Sequence, residues 1–196
     1  MKMRLFAFLV LVLTVFGCSP PQSSVIVEIE TSAGMIVVEI DTVAAPITSA
    51  NFLRYVDSGM YSDGSFFRVV RMDNQPTDSI RIEVIQGGAN PERRDEFFDA
   101  ISLERTSETG LLHLDGTISM ARGTPDSADH SFFICIEDQP SLDFGGMRNT
   151  DGQGFAAFGK VTSGMDIVRT IQGGPVEVQQ LIEPVQIIGA SRKTHD

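Results

Sequence analysis

The sequence predicts a mainly β domain, either a barrel or a sandwich, with two helices. Short segments rich in β-branched and aromatic residues recur from residue 25 onwards and are separated by turn residues. Only two segments carry apolar residues at helical spacing, which is too few for the alternating strands and helices of a parallel sheet. No internal repeat or change of composition marks a second domain.

The order of the elements follows from these segments. A hairpin is predicted from residues 25–30 and 35–40, which are β-branched runs separated by a short turn that ends at Gly34. Pro46 opens a helix whose apolar residues recur at helical spacing until Gly59. A second helix is predicted over 164–171. The remaining predicted strands are 65–70, 80–86, 116–121, 132–137, 155–161 and 182–189.

The N-terminal segment is predicted to lie outside this domain. Lys2 and Arg4 precede an uncharged apolar run over 5–16, which is short for a membrane span but typical of a signal peptide. The run ends at Gly17-Cys18, which resembles the lipobox of bacterial lipoproteins and implies lipidation of Cys18. The alternatives are an ordinary secretory signal and an uncleaved anchor.

The lipoprotein interpretation predicts the N-terminal segments of the chain and the location of the protein. It predicts a signal peptide over 1–17 and a lipidated, flexible tether over 18–24. The protein would then lie in the bacterial cell envelope, periplasmic or outward-facing, and acyl chains would hold it to the membrane.

Charge and cysteine content narrow the possible functions. The chain has 15 basic and 26 acidic residues, and its formal net charge of −11 argues against a nucleic-acid partner. Its two cysteines are Cys18 and Cys135, and the second lies in an apolar run where a buried, inert thiol is expected. Neither the cysteines nor the three histidines have the spacing of metal ligands. This spacing predicts no metal site, and the protein is further expected to need no cofactor and to be a monomer.

Five short motifs carry the functional signal. They place arginine, glutamine and several apolar side chains on extended segments, with no pairing of a nucleophile and a base among them. Such a site would bind an apolar group and direct a fixed positive charge at it. The motifs are Ser65-Phe66-Phe67-Arg68-Val69, Gln86-Gly87-Gly88, Ser119-Met120-Ala121-Arg122, Ser131-Phe132-Phe133-Ile134-Cys135 and Phe158-Gly159-Lys160-Val161.

In order and residue type these motifs resemble those of the cyclophilins, which are peptidyl-prolyl cis-trans isomerases. The resemblance covers residues 24–189. It implies a closed eight-stranded antiparallel β-barrel capped by two α-helices, over residues 25–190, followed by a polar tail at 191–196. It also implies a filled barrel interior, a substrate groove on the outside of the barrel, and proline-containing polypeptides as substrates.

The resemblance also assigns roles to individual residues. Arg68 is implied to stabilise the twisted amide before proline, and Gln86 to hold Arg68 and contact the substrate. Phe132 alternates with Phe133 and is expected to lie in the core. The substrate-binding positions, each of which could instead be ordinary core or surface, are Phe67, Val84, Ala121, Arg122, Phe133, Leu142 and Phe155.

Three departures from the family pattern leave two functions open. An insertion over 71–81 separates Arg68 from Gln86, Glu83 falls at an aromatic position of the family, and Ser131 replaces a family glutamine. We expect the insertion to re-route the strand so that Glu83 faces solvent. The predicted function is isomerisation of X-Pro bonds in exported or envelope proteins. The alternative is a catalytically weak chaperone or scaffold module that binds peptides.

Overall fold

The computed structural model describes residues 24–193. The predicted signal peptide, Cys18 and the tether up to residue 23 therefore lie outside the described residues. The strands are β1 Ser24–Thr31, β2 Gly34–Asp41, β3 Ser65–Val70, β4 Val84–Gly88, β5 Thr117–Met120, β6 Phe132–Cys135, β7 Ala156–Ser163, β8 Val176–Glu177 and β9 Gln180–Arg192. The α-helices are α1 Pro46–Asp57, α2 Thr106–Thr109 and α3 Met165–Gln172, and 3-10 turns span Pro91–Glu96 and Pro140–Leu142.

Eight of these strands form a closed antiparallel barrel. The strand order is β1-β2-β7-β5-β6-β4-β3-β9, and pairing of β9 with β1 closes the ring. The two-residue strand β8 pairs only with β9 among the described strands. Closure removes the exposed sheet edges that a sandwich would retain. The predicted barrel is confirmed, as are its two longer helices, and the four-residue α2 is an addition.

Aromatic side chains fill the interior of the barrel. Phe132 packs edge-on against Phe52 of α1, with ring centroids 5.5 Å apart, and against Phe66, with centroids 5.6 Å apart. All three rings are buried. Such T-shaped packing is a preferred arrangement of aromatic pairs, and the interior of an eight-stranded barrel is narrow enough for side chains to fill it. The expectation that Phe132 lies in the core is therefore confirmed.

A β-bulge at Phe67 decides which way the middle of β3 faces. The register pairs Phe66 with Gly87 but Arg68 with Gln86, so Phe67 is the extra residue of β3. Phe66 and Val69 both lie in the main core as a result. Without the bulge, strict alternation would turn Arg68 to the same side as Phe66. The bulge instead leaves Arg68 on the outer face.

Some strands begin or end at residues other than the predicted ones, because pairing with neighbouring strands, and not residue type, sets where these strands begin and end. The predicted strand 80–86 begins only at Val84, because residues 71–83 form an irregular loop. Ser191 and Arg192, predicted as tail, extend β9 and pair with Glu28 and Val27 of β1. Ser24, predicted as tether, is the first residue of β1. Within residues 24–193, none of the helices is long and apolar enough to span a bilayer.

Candidate active site

Arg68 is held rigidly by two glutamine side chains. Its Nη1 donates to Oε1 of Gln86 over 2.8 Å, while Nε and Nη2 donate to Oε1 of Gln179 over 3.0 and 2.6 Å. A guanidinium has five N–H donors in one plane, so three donors are used and the plane is fixed. The remaining two N–H groups have no hydrogen-bonding partner among residues 24–193. They are therefore available to a bound molecule.

The charge of Arg68 lies in an unfavourable environment. Burial lowers the pKa of Arg68 below its usual value, the neighbouring Arg148 lowers that pKa further, and Asp78 acts in the opposite direction. An arginine nevertheless remains protonated at neutral pH, because its usual pKa lies above about 12. The group can therefore act as a permanent cationic donor.

The arginine lies at the side of a small pocket of about 280 Å³, in which apolar side chains form one part of the wall and polar side chains the other. Phe133 and Phe155 meet edge-on in it, with ring centroids 5.4 Å apart, and Leu142 lies beside them. The lining residues are Arg68, Ile82, Val84, Gln86, Ala121, Arg122, Phe133, Leu142, Arg148, Asn149 and Phe155. The pocket therefore combines an apolar surface with a fixed positive charge.

A larger cavity of about 460 Å³ lies elsewhere on the barrel. Its lining includes Leu112, Leu114 and Asp115, together with Lys160. Leu112 and Leu114 are exposed side chains, and Lys160 forms an ion pair with Glu39. The cation in that lining is thus exposed and already paired with a carboxylate, whereas Arg68 is held by two neutral amides, so the smaller pocket beside Arg68 is the better candidate site.

The structure brings eight of the nine predicted site residues together, and Phe67 is the exception. Phe67 does not line the pocket, because it is the bulged residue of β3 and its two neighbours take the inner and outer faces. Glu83 is also excluded from the lining, although it is half-buried and does not face solvent fully as expected. Its Oε1 accepts a hydrogen bond from Gln172 of α3 over 3.4 Å, and Ile82 fills the apolar position instead.

Arg122 is part of the pocket wall and is not a surface charge. Its side chain is 1% exposed, and it donates to both carboxylate oxygens of Asp151 over 2.8 and 2.9 Å. The guanidinium carbon lies 5.1 Å from the centroid of the Phe155 ring. The hydrogen bonds from Arg122 lower the pKa of Asp151 to about 2. Arg122 thus attaches the loop over 143–154 to the aromatic side of the pocket.

Two glycines allow Gln86 to reach its position. A Cβ added to Gly87 would lie 2.9 Å from Cδ1 of Phe66, and one added to Gly88 would lie 2.7 Å from Nδ1 of His130. Real Cβ atoms do not approach so closely, so larger residues would push β4 away from its neighbours. The Gln86-Gly87-Gly88 motif therefore places a long side chain directly before a stretch that must pack tightly.

Gln179, which the sequence analysis missed, sits in a strained hairpin turn. Glu177 pairs with Gln180, so Val178 and Gln179 form the two-residue turn between β8 and β9. Val178 has a φ of +58°, an unusual value for a β-branched residue. The carbonyl of Gln179 accepts from the Val69 amide over 2.9 Å and anchors the turn beside β3. The strained turn thus presents the Gln179 amide to Arg68.

A buried hydrogen-bonded chain lies directly behind the pocket. His113 contacts Oγ of Ser119 through Nε2 over 2.9 Å and Oδ1 of Asp143 through Nδ1 over 2.7 Å. The His113 ring stacks on Phe133, with centroids 5.9 Å apart and an interplanar angle of 15°. These residue types also occur in nucleophilic triads, but Ser119 is completely buried and cannot reach a substrate. The chain instead connects β5 to the loop that carries Leu142.

The residues at this pocket do not include an accessible nucleophile or a set of metal ligands among the described residues. Cys135 packs behind Phe133 and is buried, and burial raises the pKa of its thiol far above the usual value. No group of three or more potential metal ligands occurs within residues 24–193. The arrangement can bind an apolar ring and donate a charged hydrogen bond, which are both non-covalent functions.

Comparison with known proteins identifies the family. The family model for cyclophilin type peptidyl-prolyl cis-trans isomerase/CLD matches residues 26–192. The chain therefore belongs to the cyclophilin-type peptidyl-prolyl cis-trans isomerases.

Individual relatives agree with this assignment. The peptidyl-prolyl cis-trans isomerase cyp18 of Streptomyces antibioticus is 37% identical over 75% of this chain and 82% of the relative. Peptidyl-prolyl cis-trans isomerase A of Dickeya dadantii is 35% identical over 87% of this chain and 85% of the relative.

Solved structures show the same fold at lower identity. The crystal structure of a cyclophilin type peptidyl-prolyl cis-trans isomerase from Cryptosporidium parvum matches with a TM-score of 0.67 and 21% identity. The match covers 88% of this chain and 99% of that one. A crystal structure of the same enzyme in the presence of the dipeptide Ala-Pro matches with a TM-score of 0.66.

Proposed function

We propose that the protein catalyses cis–trans isomerisation of X-Pro bonds, with Arg68 donating a hydrogen bond to the prolyl nitrogen of the twisted amide. The observation that carries this proposal is the fixed guanidinium beside the apolar wall formed by Phe133, Leu142 and Phe155. Two glutamines orient Arg68 before any substrate arrives. Donors that need no reorganisation stabilise a transition state more effectively than mobile ones.

The chemistry of the X-Pro bond explains why these groups suffice. Amide resonance gives the bond a rotation barrier of about 18–20 kcal/mol. Twisting the bond breaks this resonance and returns a lone pair to the prolyl nitrogen, which then accepts a hydrogen bond. A donor directed at that nitrogen stabilises the twisted state but gains little from either planar state. No bond to the enzyme is formed, so the site needs no nucleophile.

The apolar residues would hold the pyrrolidine ring while the bond rotates. Val84, Phe133 and Leu142 are buried and belong to one cluster on the outer side of the barrel. A ring seated against them would be desolvated and fixed, and the preceding carbonyl could turn relative to it. Gln86 has the further role of holding Nη1 of Arg68.

A combined kinetic and binding experiment separates catalysis from mere peptide binding. The purified protein should accelerate isomerisation of an Ala-Pro tetrapeptide in a protease-coupled assay. The uncatalysed reaction takes tens of seconds, so a large acceleration is easily seen. A protein that binds the same peptide but leaves its isomerisation rate unchanged would be a chaperone or scaffold module instead.

We further propose that the protein acts as a monomer on exported or envelope proteins and is held at the bacterial membrane through Cys18. The sequence up to Cys18 supports export and membrane attachment, since a basic start, an apolar run and Gly17-Cys18 occur in that order. Mass spectrometry of the N-terminal peptide provides the test. We expect a peptide that begins at an acylated Cys18, and an unmodified peptide beginning elsewhere would contradict the proposal.

A further inference from the structure

The pocket beside Arg68 has an unusual charge for this protein. Its lining contains three arginines, Arg68, Arg122 and Arg148, and no carboxylate side chain. The chain as a whole has a formal net charge of −11, so a general excess of basic residues does not explain this local concentration. Charges on distant surfaces are screened beyond about 8 Å at physiological ionic strength, so the local arginines determine what the pocket attracts.

The three arginines are not equally neutralised by neighbouring groups. Arg122 is paired with Asp151 through two hydrogen bonds, and Arg68 contacts only the neutral amides of Gln86 and Gln179. Arg148 has one acidic neighbour, Asp78, at 3.1 Å. The acids near these groups therefore leave one positive charge uncompensated.

Arg148 is the arginine best placed to bind a further anion. Nη1 of Arg148 donates a hydrogen bond to the carbonyl of Ile80 over 2.7 Å, and the same atom forms the ion pair with Asp78. Its Nε and Nη2 have no hydrogen-bonding partner in the described part of the chain. The Asp78 side chain is 38% exposed and so shares its carboxylate with solvent. The order of the effects on the pKa of Arg68, in which Arg148 outweighs Asp78, agrees with a net positive field here.

We infer that the groove prefers substrates that carry an aspartate or glutamate next to the proline, with Arg148 as the residue that recognises the carboxylate. A guanidinium edge matches a carboxylate in geometry and forms charge-assisted hydrogen bonds with it. The inference rests on the proposed function and specifies its substrate class. Both side-chain partners of Arg148, Ile80 and Asp78, belong to the inserted loop over 71–81. The insertion would thus set specificity and leave the isomerisation chemistry to Arg68.

Direct binding measurements test this inference separately from catalysis. Fluorescent peptides with blocked ends would carry glutamate or glutamine immediately before the proline, or immediately after it, and Kd would be measured by anisotropy. We expect glutamate to bind about three- to tenfold more tightly than glutamine in at least one of the two positions. The preference should shrink as NaCl is raised, because added salt screens the pair. Equal affinities within about twofold at both positions would overturn the inference.

Variants at Arg148 and its partner separate recognition from a merely structural role. Arg148→Met should abolish the preference, and Arg148→Lys should keep part of it because the charge remains. Asp78→Asn removes the carboxylate that competes for Arg148 and should increase the preference for glutamate. If Asp78 served only to keep the loop folded, the same substitution would decrease that preference. Persistence of the preference in Arg148→Met, or a decrease in Asp78→Asn, would contradict the inference.

A matched control and a separate activity measurement complete the design. Arg169→Met removes an arginine that pairs with Asp115 on the surface outside the pocket lining, and it should leave the preference intact. The isomerisation rate of the glutamine peptides is recorded independently. Slow isomerisation with a clear binding preference would count against the proposed catalysis only. Fast isomerisation without a preference would count against the assignment of Arg148 only.

Discussion

Replacement of Arg68 by alanine should abolish most of the catalysis while leaving the fold intact. Three of the five N–H groups of Arg68 hold it in place, which leaves two for the substrate. Loss of one preorganised donor of this kind costs about 3–4 kcal/mol of transition-state stabilisation. That energy corresponds to a decrease of about 10²–10³-fold in kcat/KM.

The same substitution should affect stability only modestly. It leaves the side-chain oxygens of Gln86 and Gln179 without their donor, but both residues are only partly buried and can bind water. The expected loss is about 1–2 kcal/mol, which is small against the total stability of a domain. Circular dichroism and thermal melting would confirm that the variant remains folded.

The assay is protease-coupled isomerisation of an Ala-Pro tetrapeptide, with kcat/KM taken from the dependence of rate on enzyme concentration. Arg68→Lys keeps a charge but loses the planar fork, so it should recover little of the activity. Arg169→Ala, which removes a surface arginine paired with Asp115, is the matched control and should behave as wild type. A folded Arg68→Ala variant within about threefold of wild type would refute the assigned role, because the lost donor should cost far more.

Three further predictions concern the residues around the site. Gln179→Ala should lower kcat/KM about 5- to 20-fold, because Arg68 loses one of the two side chains that hold it. In an Arg68→Ala background the same substitution should leave kcat/KM unchanged. Equal decreases in kcat/KM in both backgrounds would show that Gln179 acts through another group. His113→Ala should lower the free energy of unfolding in urea by about 1–3 kcal/mol, because the buried Ser119 hydroxyl loses its partner; an unchanged midpoint would contradict that role. Burial lowers the pKa of His130 in the folded protein below its usual value of 6.5. The folded state is therefore favoured by this group at pH values above 6.5, and that contribution to the free energy of unfolding is lost as the pH falls below 6.5. The melting temperature of wild type should therefore fall more between pH 7.5 and pH 5 than that of His130→Asn, and parallel profiles would exclude His130 as the cause.

The hydrophobic pattern was sufficient to predict most strands, because each strand has a buried and an outer face. The predicted hairpin over 25–30 and 35–40 corresponds to β1 and β2, each of which is one residue longer at either end. The alternation of Phe132 and Phe133 likewise assigned one ring to the core and the other to the outer pocket. Closure of the barrel followed from the family resemblance, since composition alone left a sandwich open.

Long-range pairing explains the residues that were misplaced or missed. The bulge at Phe67 depends on how β3 pairs with β4 and β9 together, and no local feature of the motif marks it. Gln179 lies 111 positions from Arg68, in a turn whose sequence has no special signature. Arg148 and Ile82 line the pocket where the inserted loop packs, and Arg148 is hydrogen-bonded to Ile80 of that loop. Such contacts require the folded chain, whereas the roles of Arg68 and Gln86 in catalysis remain predictions.

Protease-free exchange spectroscopy tests the central claim most directly. NMR of an Ala-Pro peptide reports interconversion of its cis and trans forms without a second enzyme. If the guanidinium beside Phe133 and Leu142 lowers the rotation barrier, the exchange rate should rise in proportion to wild-type enzyme at catalytic concentrations and return to the peptide's own rate with Arg68→Ala. Binding shifts in the peptide without any increase in exchange by wild type would contradict the account.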